Sequence, residues 1–121
     1  MVAIFTERLQ RGRPILTNGT GGQRRDLVYV ADVVDSLLTM ARSNRDGTWN
    51  VGTGVSSSIL ELLRAREIGP ATEIRYGPPR PGDVDNSRLA IDSVENALGW
   101  RPKYDLAGGI ADVIRKANTG R

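Results

Sequence analysis

The sequence predicts an α/β fold in which short strands alternate with about four to five helices. Two observations predict it. Short runs rich in β-branched and aromatic residues are bounded by glycine or proline, and segments with apolar residues at helical spacing lie between them. The length of 121 residues is enough for one compact domain with a modest core, so residues 1–121 are assigned to a single domain.

The N-terminal segment VAIFTERLQRG predicts a helix. Val2, Phe5 and Leu9 fall on one helical face, and Gly12 stands where the helix would end. The next segment, RPILTNG, predicts a short strand that leads into a glycine-rich stretch.

The middle of the chain predicts a strand, a helix and a second strand. DLVYV is typical of a buried strand, and Asp32 suits the N-cap of the helix after it. Apolar residues then follow at helical spacing: Val33, Val34, Leu37, Leu38 and Ala41. GTWNVGTG predicts a strand bounded by glycines.

The C-terminal half predicts three more helices and one strand. SSSILELLRAREIG indicates a short helix with a serine cap and a glycine stop, and TEIRYG indicates a strand. PPRPGD predicts a stiff loop. Asp92 and Glu95 resemble a capping box before NALGW, and DLAGGIADVIRKAN predicts a last helix weakened by Gly108 and Gly109.

Composition narrows the classes of function. The chain has no cysteine, which excludes disulfides and Cys-based zinc sites, and no histidine, which removes the commonest general base and metal ligand. We therefore expect no metal site. No apolar run approaches the roughly 20 residues that span a bilayer, so we expect a cytoplasmic protein with no membrane partner. The net charge is +3 with scattered basic residues, which argues against nucleic-acid binding.

The stretch NGTGGQRRD raises the first functional question. Gly19, Gly21 and Gly22 permit positive φ angles and a close approach of the backbone to a ligand. Arg24 and Arg25 follow at the start of a strand, where only one of the two side chains can face a given cleft. The stretch indicates either a hairpin turn with solvated charges or an anion site.

Two further loops carry candidate binding residues. In YGPPRPGD the prolines pre-shape a loop that presents Arg80, and the Pro81–Gly82 turn sets Asp83 nearby. The alternative is a surface turn with an incidental charge pair. NVGTGVSSS lacks the third glycine of G-x-G-x-x-G, because Ser57 occupies that position, and this favours a tight turn over a dinucleotide fingerprint.

Five stretches occur in an order that resembles one family: FTERLQRGRPI, GTGGQRRDLVYVADVV, WNVGTG, IRYGPPRPGD and LGWRPKYDL. They resemble the C-terminal substrate-binding lobe of the NAD-dependent epimerase/dehydratase family, the extended short-chain dehydrogenases that act on nucleotide-diphosphate sugars. Among these, the UDP-glucose 4-epimerase-like members are the most similar. The resemblance covers nearly the whole chain.

The resemblance implies roles for matching positions. Arg25 and Arg80 would contact the diphosphate of a nucleotide sugar, and Asp83 would bind the ribose. The further substrate-binding residues that it implies are Leu16 and Asn18, in the segment that meets the base, and Asn50, on the same side of the cleft.

The resemblance also implies what this chain lacks. The family's N-terminal Rossmann domain carries the NAD fingerprint and the Tyr-x-x-x-Lys catalytic pair, and neither pattern is present here. We therefore expect a nucleotide-sugar-binding lobe with no catalytic or cofactor-binding residues, whose parent enzyme would use NAD. Two alternatives stay open: a self-associating, non-enzymatic interaction module, and a phosphate or nucleic-acid binder.

Overall fold

A computed structural model describes residues 1–66 and 72–120 of the chain, and these residues form five helices and four short strands. The predicted fold class is confirmed. The helices are α1 (Val2–Gln10), α2 (Val30–Arg42), α3 (Ile59–Ala65), α4 (Asp92–Leu98) and α5 (Leu106–Thr119). The strands are β1 (Ile15–Asn18), β2 (Arg24–Asp26), β3 (Ser56–Ser58) and β4 (Ile74–Gly77). Within the described ranges, no helix has the length and apolar character needed to cross a membrane.

The strands form two separate pairs. β1 runs parallel to β4, with Ile15 opposite Ile74 and Asn18 opposite Gly77. β2 runs antiparallel to β3, with Arg24 opposite Ser58. Because β1 and β2 have different partners, the glycine-rich stretch between them connects two sheets. The interpretation of that stretch as a hairpin turn is therefore wrong.

The core lies where α1, α3 and α5 meet β1. Its buried members come from all four elements: Phe5, Ile15, Ile59, Leu62, Leu63 and Ile110. Val2 and Leu9 pack against this cluster, so the predicted apolar face of α1 is confirmed. Full burial of such a side chain stabilises the fold by about 1.5–3 kcal/mol relative to exposure, so this cluster holds the two ends of the chain together.

Helix α2 presents aliphatic side chains to solvent and buries polar ones. Asp32 and Ser36 are each 1% exposed. The aliphatic residues on the other face are much more exposed: Val30 at 64%, Val34 at 49%, Leu37 at 59% and Leu38 at 47%. The helix is confirmed, but its apolar periodicity does not correspond to burial within this chain.

Asp32 does not cap α2, and that prediction is wrong. The helix begins at Val30 with Tyr29 as its N-cap residue, so Asp32 lies in the first turn. Its carboxylate accepts hydrogen bonds from the backbone amides of Lys103 and Tyr104, each at 3.0 Å. A buried carboxylate needs such donors, and they tie α2 to the segment before α5.

Two of the predicted strands do not form where the sequence predicts them. β2 covers Arg24–Asp26 rather than DLVYV, and residues 47–54 form no strand, because extended pairing starts only at Ser56. A strand requires a neighbour that shares its hydrogen bonds. None of the described residues pairs with 47–54, so β-propensity alone does not make a strand there.

The helix ends show which capping signals were correct. Ser58 caps α3 in a reciprocal capping box with Glu61, as its serine run predicts. The predicted stop at Gly69 lies outside the described residues. Asp92 does not cap α4: Ile91 is the N-cap residue and no side chain caps the helix. In α5, a Cβ on Gly109 would lie 3.3 Å from Cβ of Tyr29, so this glycine permits close packing.

Candidate functional site

The candidate site is a cavity of about 500 Å³ at one edge of the β1–β4 pair. Because the two strands are parallel, both end at this edge, and the loops that follow them face each other. The amide of Gly19 donates to the carbonyl of Gly77 at 2.9 Å, and a Cβ on Gly19 would lie 3.6 Å from Cβ of Pro79. The glycine-rich stretch (residues 18–23) and the proline loop (residues 78–85) therefore lie side by side, and both contribute to the cavity lining.

The residues that line the cavity come from those two segments: Asn18, Gly19, Thr20, Gly22, Gln23, Pro79, Arg80, Asp83 and Asp85. Three of the predicted site residues, Asn18, Arg80 and Asp83, are thus brought together. The sequence reasoning did not single out Gln23 or Asp85. The side-chain Nε2 of Gln23 donates to the carbonyl of Asn18 at 3.1 Å. The signal that could have identified Gln23 is its position between the glycines and the arginines.

Arg25 reaches the cavity through Asp83. Its Nη2 donates to Oδ1 of Asp83 at 2.6 Å, and its Nη1 donates to the carbonyls of Arg24, at 2.7 Å, and Val84. The Arg25 and Asp83 side chains are 28% and 35% exposed. Arg25 therefore holds the proline loop in place, and its link to the cavity is the ion pair with Asp83.

Arg24 has a different set of partners. Its guanidinium donates to both carboxylate oxygens of Glu61, each at 3.3 Å, and to the carbonyl of Ser56 at 2.6 Å. The Ser58 amide, and then Arg24, hold the pKa of the Glu61 carboxyl below its usual value. Arg24 thus fixes β2 on the N-terminal end of α3 and is not available to a ligand in the cavity.

The two remaining predicted residues lie apart from the cavity lining. Leu16 is 50% exposed on β1, on the same outward face of the strand as Asn18. Asn50 is exposed and does not line the cavity. The structure therefore brings Leu16 to the adjacent strand face and leaves Asn50 in the segment between α2 and β3.

The Gly52–Gly54 turn binds a carboxylate of its own chain. Asp26 accepts hydrogen bonds from the amides of Thr53 and Gly54, both at 2.9 Å, from the Thr53 hydroxyl at 2.6 Å, and from the amide of Leu89 at 3.3 Å. A Cβ on Gly52 would lie 2.9 Å from that carboxylate. The amides that a dinucleotide phosphate would need are already used, so these residues do not fit NAD.

A tyrosine and a lysine also meet outside the cavity. Nζ of Lys116 donates to the Tyr29 hydroxyl at 3.1 Å, while both groups donate to Asp112, the lysine at 2.8 Å. Lys116, then Tyr29 and Arg115, hold the pKa of Asp112 well below its usual value, and Asp112 raises the pKa of Lys116. The tyrosine is a donor to a carboxylate here, so the cluster fastens α5 to the start of α2.

The chain is similar in sequence to known proteins. A model described as "NAD dependent epimerase/dehydratase family" matches residues 1–52, from α1 to the start of the Gly52–Gly54 turn. The chain is 41% identical over 117 residues to UDP-glucose 4-epimerase of Mycolicibacterium smegmatis, with 94% of this chain and 37% of that protein covered. The resemblance to the NAD-dependent epimerase/dehydratase family is confirmed.

Solved structures of the family have the same fold over this region. UDP-glucose 4-epimerase of Thermotoga maritima, in a structure with UDP-glucose, superposes with a TM-score of 0.85 at 38% identity, over 97% of this chain and 40% of that one. UDP-glucose 4-epimerase of Thermus thermophilus, in a complex with NAD, gives 0.79 at 39% identity, over 96% and 40%. The chain thus spans about two fifths of the length of these relatives.

Proposed function

We propose that this chain binds the nucleotide-diphosphate part of a sugar nucleotide, as the substrate-binding lobe of a UDP-glucose 4-epimerase-like enzyme. The observation that carries the proposal is the cavity that Arg80, Asp83 and Asn18 line together, with Arg25 paired to Asp83. A guanidinium suits a diphosphate, and a carboxylate suits sugar hydroxyls. The solved relative with UDP-glucose supports this class of ligand.

The chemistry of epimerisation would need a second part of the protein. The family is NAD-dependent by description, and NAD supplies hydride transfer when it is bound. In this chain the Gly52–Gly54 turn is occupied by Asp26. We therefore assign to these residues the holding of the sugar nucleotide, and not the redox step.

Calorimetry with the isolated chain tests the proposal. UDP-glucose and UDP-galactose should bind with similar affinity, and NAD should bind far more weakly. Arg80→Gln should weaken UDP-glucose binding about tenfold, because a lost charge-assisted hydrogen bond costs about 1.5–3 kcal/mol and this exposed site lies at the low end. Arg13→Gln removes the same charge from an exposed site outside the cavity and is the control. Tight NAD binding, or equal effects of the two variants, would contradict the proposal.

The exposed face of α2 supports a proposal about the partner. We infer that Val30, Val34, Leu37 and Leu38 pack against a part of the protein that corresponds to the remaining length of the relatives, and that this part binds NAD. A contiguous apolar patch that is rimmed by polar groups usually marks an interface. Sedimentation of the chain with and without the NAD-binding part of the M. smegmatis relative tests this. We expect the wild-type chain to form a complex with that part and the Leu37→Ser variant to form none. A homodimer of the chain alone would favour the self-associating module instead.

A further inference from the structure

A second cavity, of about 460 Å³, adjoins strand β3. One edge of β2 pairs with β3, whose Ser57 lines this second cavity. The other edge of β2 bonds to the end of the proline loop, because the amide of Arg24 donates to the carbonyl of Asp85 at 2.8 Å, and Asp85 lines the first cavity. β2 therefore runs between Ser57 and Asp85, and no described residue lines both cavities. The volume is within the roughly 300–1,000 Å³ that is typical of small-molecule sites.

Ser57 brings an unused hydroxyl to the second cavity. It is 9% exposed, and no described residue forms a hydrogen bond with its hydroxyl, whereas the hydroxyls of Ser56 and Ser58 both accept hydrogen bonds within the chain. In the described part of the chain, the fully enclosed side-chain atoms without a partner are Nε of Arg66 and Nε1 of Trp100, so the Ser57 hydroxyl is not sealed from the cavity. A buried hydroxyl without a partner is unfavourable. A polar ligand atom in the cavity would therefore gain a hydrogen bond there.

Lys103 and Asp105 place opposite charges at the second cavity. They are two residues apart, so their Cα atoms lie within about 7 Å of each other. Nζ of Lys103 has a long contact of 3.7 Å with the carboxylate of Asp35, and the lysine side chain is 71% exposed. Asp105 accepts the Gly108 amide on Oδ1 at 2.7 Å, while no described residue donates to its Oδ2. Both charged groups therefore keep capacity for a ligand.

The segment that carries these two charges has a fixed backbone. The amides of Lys103 and Tyr104 both donate to the buried carboxylate of Asp32, each at 3.0 Å. The second cavity also has an aliphatic surface, which is formed by Leu27, Val55, Pro102 and Leu106. A cation and an anion that are held beside an apolar surface complement a molecule that has a carboxylate, an ammonium and an apolar group on one carbon. A bare anion is less suitable, because Asp105 repels it.

We propose that the second cavity binds a zwitterionic α-amino acid with an apolar side chain. Its carboxylate binds Nζ of Lys103 and the hydroxyl of Ser57, its ammonium binds Oδ2 of Asp105, and its side chain packs on the aliphatic surface. The proposal goes beyond the proposed function, because it concerns a cavity that does not hold the sugar nucleotide. Binding should be weak, since exposed ion pairs contribute little.

The test uses leucine and two derivatives that each lack one charge. The isotope-labelled chain is titrated with each ligand, and amide chemical shifts in NMR spectra give the position and the affinity of binding. Leucine should shift the amides of Ser57, Lys103 and Gly108. It should bind about fivefold more tightly than N-acetyl-leucine, which has no ammonium, and about fivefold more tightly than leucinamide, which has no carboxylate.

Two variants assign the two charges. Asp105→Asn keeps a residue that caps helices well, and it should weaken leucine binding about threefold without weakening N-acetyl-leucine binding. Lys103→Met should weaken binding of leucine and of N-acetyl-leucine about threefold and leave leucinamide unchanged. Arg101→Met is the matched control, because Arg101 is 73% exposed and paired with Glu95 but does not line the cavity. This control should leave all three affinities unchanged.

Four results would overturn the proposal. The first is equal binding of leucine and N-acetyl-leucine, and the second is a pair of variants that weaken every ligand by the same factor. The third is binding of galactose as tight as that of leucine, since hydroxyl groups would then be what the cavity recognises. The fourth is loss of the leucine-induced shifts when UDP is added, which would assign leucine to the sugar-nucleotide cavity.

A variant that blocks the second cavity completes the test. Ser57→Val replaces the hydroxyl with a larger apolar group and should abolish leucine binding. If circular dichroism shows that this variant is unfolded, Val55→Trp, at a position that is 62% exposed, blocks the same cavity. A folded blocking variant that binds leucine as tightly as the wild-type chain would show that the ligand lies elsewhere.

Discussion

Replacement of Asp32 by alanine should be among the most destabilising single changes in this chain. The carboxylate is 1% exposed and accepts two backbone amides, each at 3.0 Å. Hydrogen bonds to a charged group contribute about 1.5–3 kcal/mol each, and their removal leaves two donors without partners. The expected loss is about 3–5 kcal/mol. Small domains have a total stability of about 5–15 kcal/mol, so this loss is a large share of it.

Asp35→Ala provides the matched control. Asp35 lies in the same helix and contacts the same neighbour, but through an exposed ion pair with Lys103 Nζ at 3.7 Å. Exposed ion pairs contribute about 0–1 kcal/mol. Urea unfolding at pH 7, followed by far-ultraviolet circular dichroism, measures both losses. If Asp32→Ala costs less than about 1 kcal/mol, or no more than Asp35→Ala, the argument from burial is wrong. Asp32→Asn keeps one acceptor and should cost about half as much.

Three further predictions concern other contacts. Asp26→Ala should cost about 2–4 kcal/mol in urea unfolding, because the Gly52–Gly54 turn loses the acceptor of its amides; a loss under about 0.5 kcal/mol would contradict this. Gly109→Val should cost about 1–3 kcal/mol by crowding Tyr29, whose Cβ lies 3.3 Å from the position of the added atom, and an unchanged melting temperature would count against that packing. The pKa of Asp112 is lowered in the folded state, so the stabilisation that its carboxylate provides is present above pH about 4 and is lost as the pH falls further. Asp112→Asn should therefore lessen the dependence of the free energy of unfolding on pH, measured from pH 7 to pH 2. An unchanged dependence would refute this role of Asp112.

The sequence predicts most of the elements because their signals are local. The helical spacing of Val2, Phe5 and Leu9 and the serine before α3 act within a few residues, and both are confirmed. Predictions of strands are different, because a strand needs a neighbouring strand as its partner. Residues 47–54 have strand-like composition, but strand formation depends on a neighbour that local composition does not specify.

The candidate site was partly predictable for the same reason. Glycines and prolines mark the two loops, and the structure places Arg80 and Asp83 together with Asn18. The sequence does not show which of the adjacent arginines, Arg24 or Arg25, donates its hydrogen bonds within the fold. That depends on Glu61, which lies 37 positions after Arg24 along the chain. The prediction for Asp32 was wrong because a carboxylate can act either as a helix N-cap or as a buried acceptor for amides far along the chain. The residue type alone does not distinguish these two roles.

The parallel pairing of β1 with β4 has a consequence for the order of assembly. The glycine-rich side of the cavity is synthesised before the proline loop, and the cavity must wait until β4 has left the ribosome, because Ile15 pairs with Ile74. Closure of a loop of about 60 residues costs roughly 3.5 kcal/mol of chain entropy, which only the completed core offsets. Ligand capture would therefore be a late event in biogenesis, and a nascent chain stalled before β4 should show none.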